Sequence, residues 1–174
     1  MTRAIYPATF DPITNGHVDI AERAARIFSE LIVAVFDRPM KHLLFSTEER
    51  LKMTSQALAH VKNVRIESYS GLTVNFAKEQ GAQVMVRGLR ALSDFEWELQ
   101  LSLTNHSLES DIETVCLMAS QEHSFLSSSI LKEIALNGGS IEHLAPAVVV
   151  EALKKKRMVD DDGNSRVEIV SVRD

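Results

Sequence analysis

Residues 31–36 read LIVAVF, an apolar run with no polar break. A strand with one wet face alternates polar and apolar side chains, so an unbroken run of this length belongs to a strand covered on both sides. Strands are expected at RAIY (3–6), closed by Pro7, at 31–36, at VRIESY (64–69), at AQVMVRG (82–88) and at ETVCLM (113–118). Helical stripes separate them. HVDIAERAARIFSE sets Val18, Ala21, Ala24, Ala25 and Phe28 on one face, and STEERLKM opens with Ser46 and Glu49 at capping-box spacing. TVNFAKEQ is stopped by Gly81, and SDFEWELQLSLTNHSL (93–108) is helical. Two more helices follow, one from about Ser128 closed by Gly138 and Gly139, the other opened by Pro146.

Strands that alternate with helices must be joined by one-way crossovers, which gives a parallel sheet. The expected architecture is therefore α/β: a Rossmann-like, doubly wound five-stranded parallel sheet with helices on both faces. One domain is expected over 1–158 and a C-terminal tail over 159–174. In the tail DDDG (160–163) reads as a solvated turn and RVEIVSV as an added edge strand.

No apolar run approaches the roughly 18 residues of a membrane span. MTRAIYPATF lacks the apolar stretch of a signal peptide, so a cytoplasmic protein is expected. Cys116 is the single cysteine; it excludes an internal disulfide and, within TVCLM, reads as a buried structural thiol. A net charge of −5 argues against a general nucleic-acid binder, which needs a basic face. The histidines at 17, 42, 60, 106, 123 and 143 show no close metal-ligand spacing, so no protein-held metal is expected.

In doubly wound sheets ligands bind beyond the carboxyl ends of the strands. The loop after the first strand, ATFDPITNGH, carries Thr9, Asp11, Thr14, Asn15 and His17; the second leads to Lys41, the third to Thr73, the fourth to Arg87 and Arg90, and the fifth to SQEHSFLSSS. An acidic chain that gathers cations, hydroxyls and two histidines on one sheet edge is built to bind phosphates. His17 falls at a helix start, where free N–H groups favour an anion, and Gly16 lets the backbone approach it. Taken alone, TNGH reads rather as an Asx-type turn and helix cap with an exposed histidine.

TFDPITNGH between a strand and a helix resembles the first signature of the nucleotidylyltransferase superfamily, and SFLSSSILKE (124–133) resembles its serine-rich second signature. With KHLLFSTEER and VMVRGLRALSDFEWELQ in the same order and spacing, residues 3 to 158 resemble the phosphopantetheine adenylyltransferase family of coenzyme A synthesis. The resemblance implies direct in-line attack by the phosphate of 4′-phosphopantetheine on the α-phosphorus of ATP. No covalent enzyme intermediate forms, and Mg2+ arrives with ATP. It implies that the catalytic residues His17 and Thr9 contact the transferring phosphate. Lys41 and Arg87 would hold the acceptor phosphate, with Thr9 and Thr73 also on the acceptor side. ATP would meet Thr9, Phe10, His17, Gly88, Leu89, Arg90 and Glu98, and the run His123, Ser124, Phe125, Leu126, Ser127, Ser128, Ser129. A hexamer and feedback by coenzyme A are implied on the same ground.

Each residue also has a plainer reading. Lys41 can be a solvated loop lysine, Arg90 and Arg87 can pair with Asp94 or Glu96, Glu98 can be an exposed helical glutamate, and one of the three serines can cap its helix. Phe95, Trp97 and Leu101 read as a packed helix face. Ala8, Trp97 and His123 depart from common residues of the family, the last two where the base would pack. Three alternatives stay open. They are an adenylyltransferase for nicotinamide mononucleotide, whose serine motif usually has arginine where Lys132 stands, a class I aminoacyl-tRNA synthetase, and a non-catalytic ATP sensor.

Overall fold

A computed structural model of the chain describes residues 2–37, 39 and 42–161. The strands are β1 (Arg3–Ala8), β2 (Glu30–Phe36), β3 (Val64–Tyr69), β4 (Val84–Leu89) and β5 (Glu113–Met118). The helices are α1 (Asn15–Ile27), α2 (Thr47–Ala57), α3 (Thr73–Glu79), α4 (Leu92–Leu108), α5 (Ser128–Leu136) and α6 (Ala147–Asp161). All strand pairings are parallel, in the order β3-β2-β1-β4-β5. The order reverses between β1 and β4, so the crevice where loops diverge lies over those two strands.

The unbroken LIVAVF run behaves as its pattern requires. Leu31, Val33 and Val35 join Ala4 and Tyr6 of β1 in a core with α1, α2, α5 and α6, while Ile32 and Ala34 face a second core with α3. Ile32 has no exposed surface; truncating such a side chain to alanine costs about 2–5 kcal/mol. The Ser46–Glu49 capping box forms in both directions, at 3.2 and 2.8 Å.

Four expectations need correction. Pro7 does not end β1, which continues through Ala8 in register with Val35. The β1–β4 ladder has already parted after Ile5, and the Pro7 carbonyl accepts from the Arg87 guanidinium instead, so the missing N–H faces no vacant ladder position. Cys116 is exposed, because β5 is an edge strand. Phe95 and Trp97 are also exposed rather than packed, at 51% and 64%. The acidic run does not begin as a turn, since α6 reaches Asp161. The expected edge strand in the tail and the expected position of Lys41 lie outside the described residues.

Candidate active site

One cleft of about 1140 Å³ opens at the carboxyl edge over β1 and β4. Drug-sized pockets run to roughly 1,000 Å³, so this one has room for a nucleotide and a second substrate together. It brings together Thr9 and Phe10 from the loop after β1, His17 from the first turn of α1, Arg87, Gly88 and Arg90 from β4 and its loop, and Glu98 from α4. His123, Leu126, Ser127, Ser128 and Ser129 join them from the other side. The remaining candidates stand apart. Leu89 is buried in the protein, Phe125 is exposed, and Ser124 turns its hydroxyl to the Gln121 carbonyl. Thr73 lies behind the lining residue Tyr69, Oγ1 to phenol oxygen 3.0 Å.

The first loop is shaped by its own hydrogen bonds. Phe10 is buried at φ 51°, a left-handed conformation that is uncommon for an aromatic residue and that over-determined packing must hold. Its ring meets Tyr6 and His17 edge-on at 5.5 and 5.2 Å. Thr14 caps α1 and His17 occupies the third helical position, where a capping box usually has Glu or Gln. The Thr14 backbone N–H donates to His17 Nδ1 at 3.1 Å, while Thr14 Oγ1 accepts from the His17 N–H at 3.3 Å and lies 3.0 Å from Nδ1. A backbone N–H can only donate, so Nδ1 holds a lone pair and the neutral ring carries its proton on Nε2. His17 is half-buried and is itself half of the cap, not the exposed residue of the plainer reading.

Two helix N-termini converge here. Ser127 caps α5 by accepting from the Ile130 N–H at 3.1 Å, and Ser128 donates its hydroxyl to the Pro12 carbonyl at 2.8 Å. Asn15 N–H is taken by the Leu144 carbonyl at 3.0 Å. Among the described residues, the first-turn N–H groups of Gly16, Ser128 and Ser129 have no protein partner, and such groups favour an anion. A Cβ on Gly88 would sit 3.3 Å from Ile20, so that glycine admits the close approach of α1 to β4.

Among the described residues, the arginines and the lysine that line the cleft are each held by a carboxylate. Arg87 is gripped by Glu98 through two bonds of 2.7 Å, and Glu98 is buried. Burial works against the Arg87 charge, but the Glu98 hydrogen bonds and charge outweigh it and raise its basicity. Arg90 pairs with Asp94 at 3.0 Å, as its plainer reading has it, and also donates to the Leu126 carbonyl at 3.3 Å. The Tyr6 phenol is pushed well above its usual range by burial and stays neutral.

Among the lining residues that sequence reasoning did not assign to the site are Asp11 and Lys132, which form a buried ion pair at 2.7 Å. Asp11 also accepts from the Leu44 and Phe45 N–H groups at 3.1 and 3.0 Å. The available signal was spacing: Lys132 follows Ser128 by one helical turn and therefore shares its face. Thr14 was missed as a partner of His17, although the two are separated by capping-box spacing.

Residues 5–134 match the cytidylyltransferase-like family model. The chain is 56% identical over 151 residues to the phosphopantetheine adenylyltransferase of Thermosynechococcus vestitus, covering 87% of this chain and 90% of that one. It is 50% identical to the Herpetosiphon aurantiacus phosphopantetheine adenylyltransferase, over 95% of this chain and 100% of the relative. Among solved structures it is similar to Plasmodium falciparum nicotinic acid mononucleotide adenylyltransferase complexed with NaAD. That match has a TM-score of 0.69 at 16% identity, over 91% of this chain and 97% of that one, a likeness of fold alone.

Proposed function

Since the chain belongs to the cytidylyltransferase-like family, and within it to the phosphopantetheine adenylyltransferases, we infer that its cleft is the place of their reaction. The enzyme moves the AMP group of ATP onto 4′-phosphopantetheine, giving dephospho-coenzyme A and pyrophosphate, a step of coenzyme A synthesis. The observation that supports this location best is the convergence of the α1 and α5 N-termini on one cleft large enough for both substrates.

In the proposed mechanism an acceptor phosphate oxygen attacks the α-phosphorus in line. The bond from that phosphorus to its bridging oxygen breaks, and pyrophosphate leaves with the electron pair. A phosphate dianion is already a nucleophile, so positioning and charge stabilisation supply the rate. His17 Nε2–H and Thr9 donate to the transferring phosphate, whose charge grows as the acceptor closes in. The N–H groups of Ser128 and Ser129 take the outgoing phosphates. Arg87 and Lys41 hold the acceptor phosphate, and Arg90 the nucleotide phosphates.

The donor set bears on magnesium. Among the described residues, the carboxylates lining the cleft are Asp11, Asp94 and Glu98, each committed to a cation, Lys132, Arg90 and Arg87. Such a site fits a Mg2+ ion carried by the triphosphate rather than one caged by protein oxygens. When bound, the ion neutralises phosphate charge.

We further propose a hexamer, feedback by coenzyme A competing for the acceptor side, and a cytoplasmic location. The oligomer is supported by Leu92, Phe95, Trp97, Leu99 and Leu103, all exposed on α4. No helix among the described residues is long and apolar enough to cross a membrane. The reaction is tested by pyrophosphate release from ATP with each candidate acceptor. Release with 4′-phosphopantetheine, and none with pantetheine or nicotinamide mononucleotide, is the expected result. Release with nicotinamide mononucleotide alone would overturn it.

A further inference from the structure

Arg50 has no exposed surface, and neither the reaction nor the substrates account for it. Its five N–H donors are all satisfied. Nη1 donates to the Thr9 carbonyl at 2.7 Å and the Phe36 carbonyl at 2.8 Å. Nη2 donates to the Asp37 carbonyl at 3.1 Å and Thr47 Oγ1 at 2.8 Å, and Nε to the Phe45 carbonyl at 3.3 Å. None of these acceptors is a carboxylate. Among the described residues Arg50 has no ion-pair partner, and a fully buried arginine so placed is rare, because apolar side chains fill the same volume at lower desolvation cost. Burial lowers its basicity, opposed by the more distant charges of Asp11 and Asp37.

The identity of the acceptors explains the choice. Phe36 ends β2 and Asp37 opens the connection to α2, while Phe45 lies near its far end and Thr47 begins α2. The fifth acceptor, Thr9, belongs to the loop after β1. One planar fork therefore ties both ends of that connection to each other and to Thr9. Lysine, with a single nitrogen, cannot span them. Asp11 repeats the link from the opposite side through the Leu44 and Phe45 N–H groups.

We propose that Arg50 is a positioning residue for adenylyl transfer, fixing Thr9 relative to the segment that runs from β2 to α2. The inference rests on the assignment of that segment, through Lys41, to the acceptor. Arg50 touches no substrate; it holds the backbone of the loop that meets the α-phosphate against the two ends of the connection from β2 to α2. Misplacement on the order of 1 Å costs about 100-fold in such a reaction.

The test compares Arg50→Lys with Lys41→Ala, measuring kcat, the KM of each substrate and the thermal midpoint. Arg50→Lys keeps the charge and is expected to raise the 4′-phosphopantetheine KM and lower kcat by about tenfold or more together. The KM for ATP should stay within about twofold, because α1 and α5 are untouched. A folded Arg50→Lys with a lower midpoint and unchanged constants makes the residue structural only and overturns the proposal. If Lys41→Ala raises the acceptor KM and Arg50→Lys does not, the inference fails. If Lys41→Ala leaves that KM alone, the acceptor assignment fails instead. Should Arg50→Lys not fold, Thr47→Val deletes one acceptor while keeping the guanidinium. The same split in smaller measure then supports the role, and unchanged constants refute it.

Discussion

The Arg87 guanidinium and the Glu98 carboxylate meet through two hydrogen bonds of 2.7 Å, and the Pro7 carbonyl accepts a third from Arg87 at the same length. Glu98 is buried, so removing Arg87 leaves its carboxylate without an ion-pair partner. Breaking a buried pair from one side costs about 3–5 kcal/mol. Arg87→Met should therefore lose stability as well as acceptor affinity, and adding Glu98→Gln should restore most of the stability but none of the affinity. Denaturant unfolding of the two singles and the double, with acceptor KM on each, separates the effects. A double variant no more stable than Arg87→Met would show that the pair is not coupled.

Thr14 serves His17 twice, as a helix cap and as the group that keeps Nδ1 unprotonated. Thr14→Ala should cost about 1 kcal/mol of stability, the usual value for a lost N-cap hydroxyl. It should also lower kcat, because the ring loses one of the contacts that orient it. Thr14→Ser should recover both. Thermal unfolding and steady-state rates on the three proteins check this; full activity in a destabilised Thr14→Ala would confine Thr14 to capping.

The sequence carried the sheet well because periodicity is a property of neighbouring residues. LIVAVF announces a strand covered on both faces, and the spacing of Ser46 and Glu49 announces a helix start. The loop after β1 was legible through its donor-rich composition, which placed His17 at the start of α1. What remained hidden depends on the partner across space. The Arg87–Glu98 and Asp11–Lys132 pairs and the burial of Arg50 join residues on different elements, whereas Arg90 and Asp94, four residues apart, were legible as a pair. Pro7 misled for a related reason: proline ends a strand only where its missing N–H faces a partner, and here that ladder has parted. Cys116 looked buried because an apolar run does not reveal whether its strand lies at the sheet edge.

The apolar surface of α4 bears on assembly. Light scattering should give several times the 19.4 kDa of one chain. Leu103→Lys, placed where the side chain is 63% exposed, should shift the protein toward smaller species without unfolding it. A monomer across a wide concentration range contradicts the proposed hexamer.

Acid stability follows from carboxylates held below their ordinary values. The Ser140 hydroxyl, then Lys154, lowers Glu142 from 4.5 to about 2, and Arg3 leads the groups that lower Glu30. A carboxylate depressed in the folded state contributes stability above its unfolded value and loses it as pH falls toward the folded one. The thermal midpoint should therefore drop between pH 4.5 and pH 2, and Glu142→Gln should shallow that decline. An equal acid slope in the variant would remove Glu142 from the account.

The central claim is that His17 offers Nε2–H to a charge that develops only as the acceptor attacks. A donor aimed there stabilises the transition state more than bound ATP. The same ring half-completes the helix cap, so His17→Ala alone confounds two losses. His17→Gln keeps the side-chain type usual at this capping position and should hold the thermal midpoint near that of the parent. The decisive measurement is kcat and ATP KM for both variants, with thermal midpoints on the same samples. We expect His17→Ala to lose at least about 100-fold in kcat with ATP KM little changed, and His17→Gln to recover stability but only part of the rate. A folded His17→Ala enzyme that turns over at a near-normal kcat would contradict the mechanism.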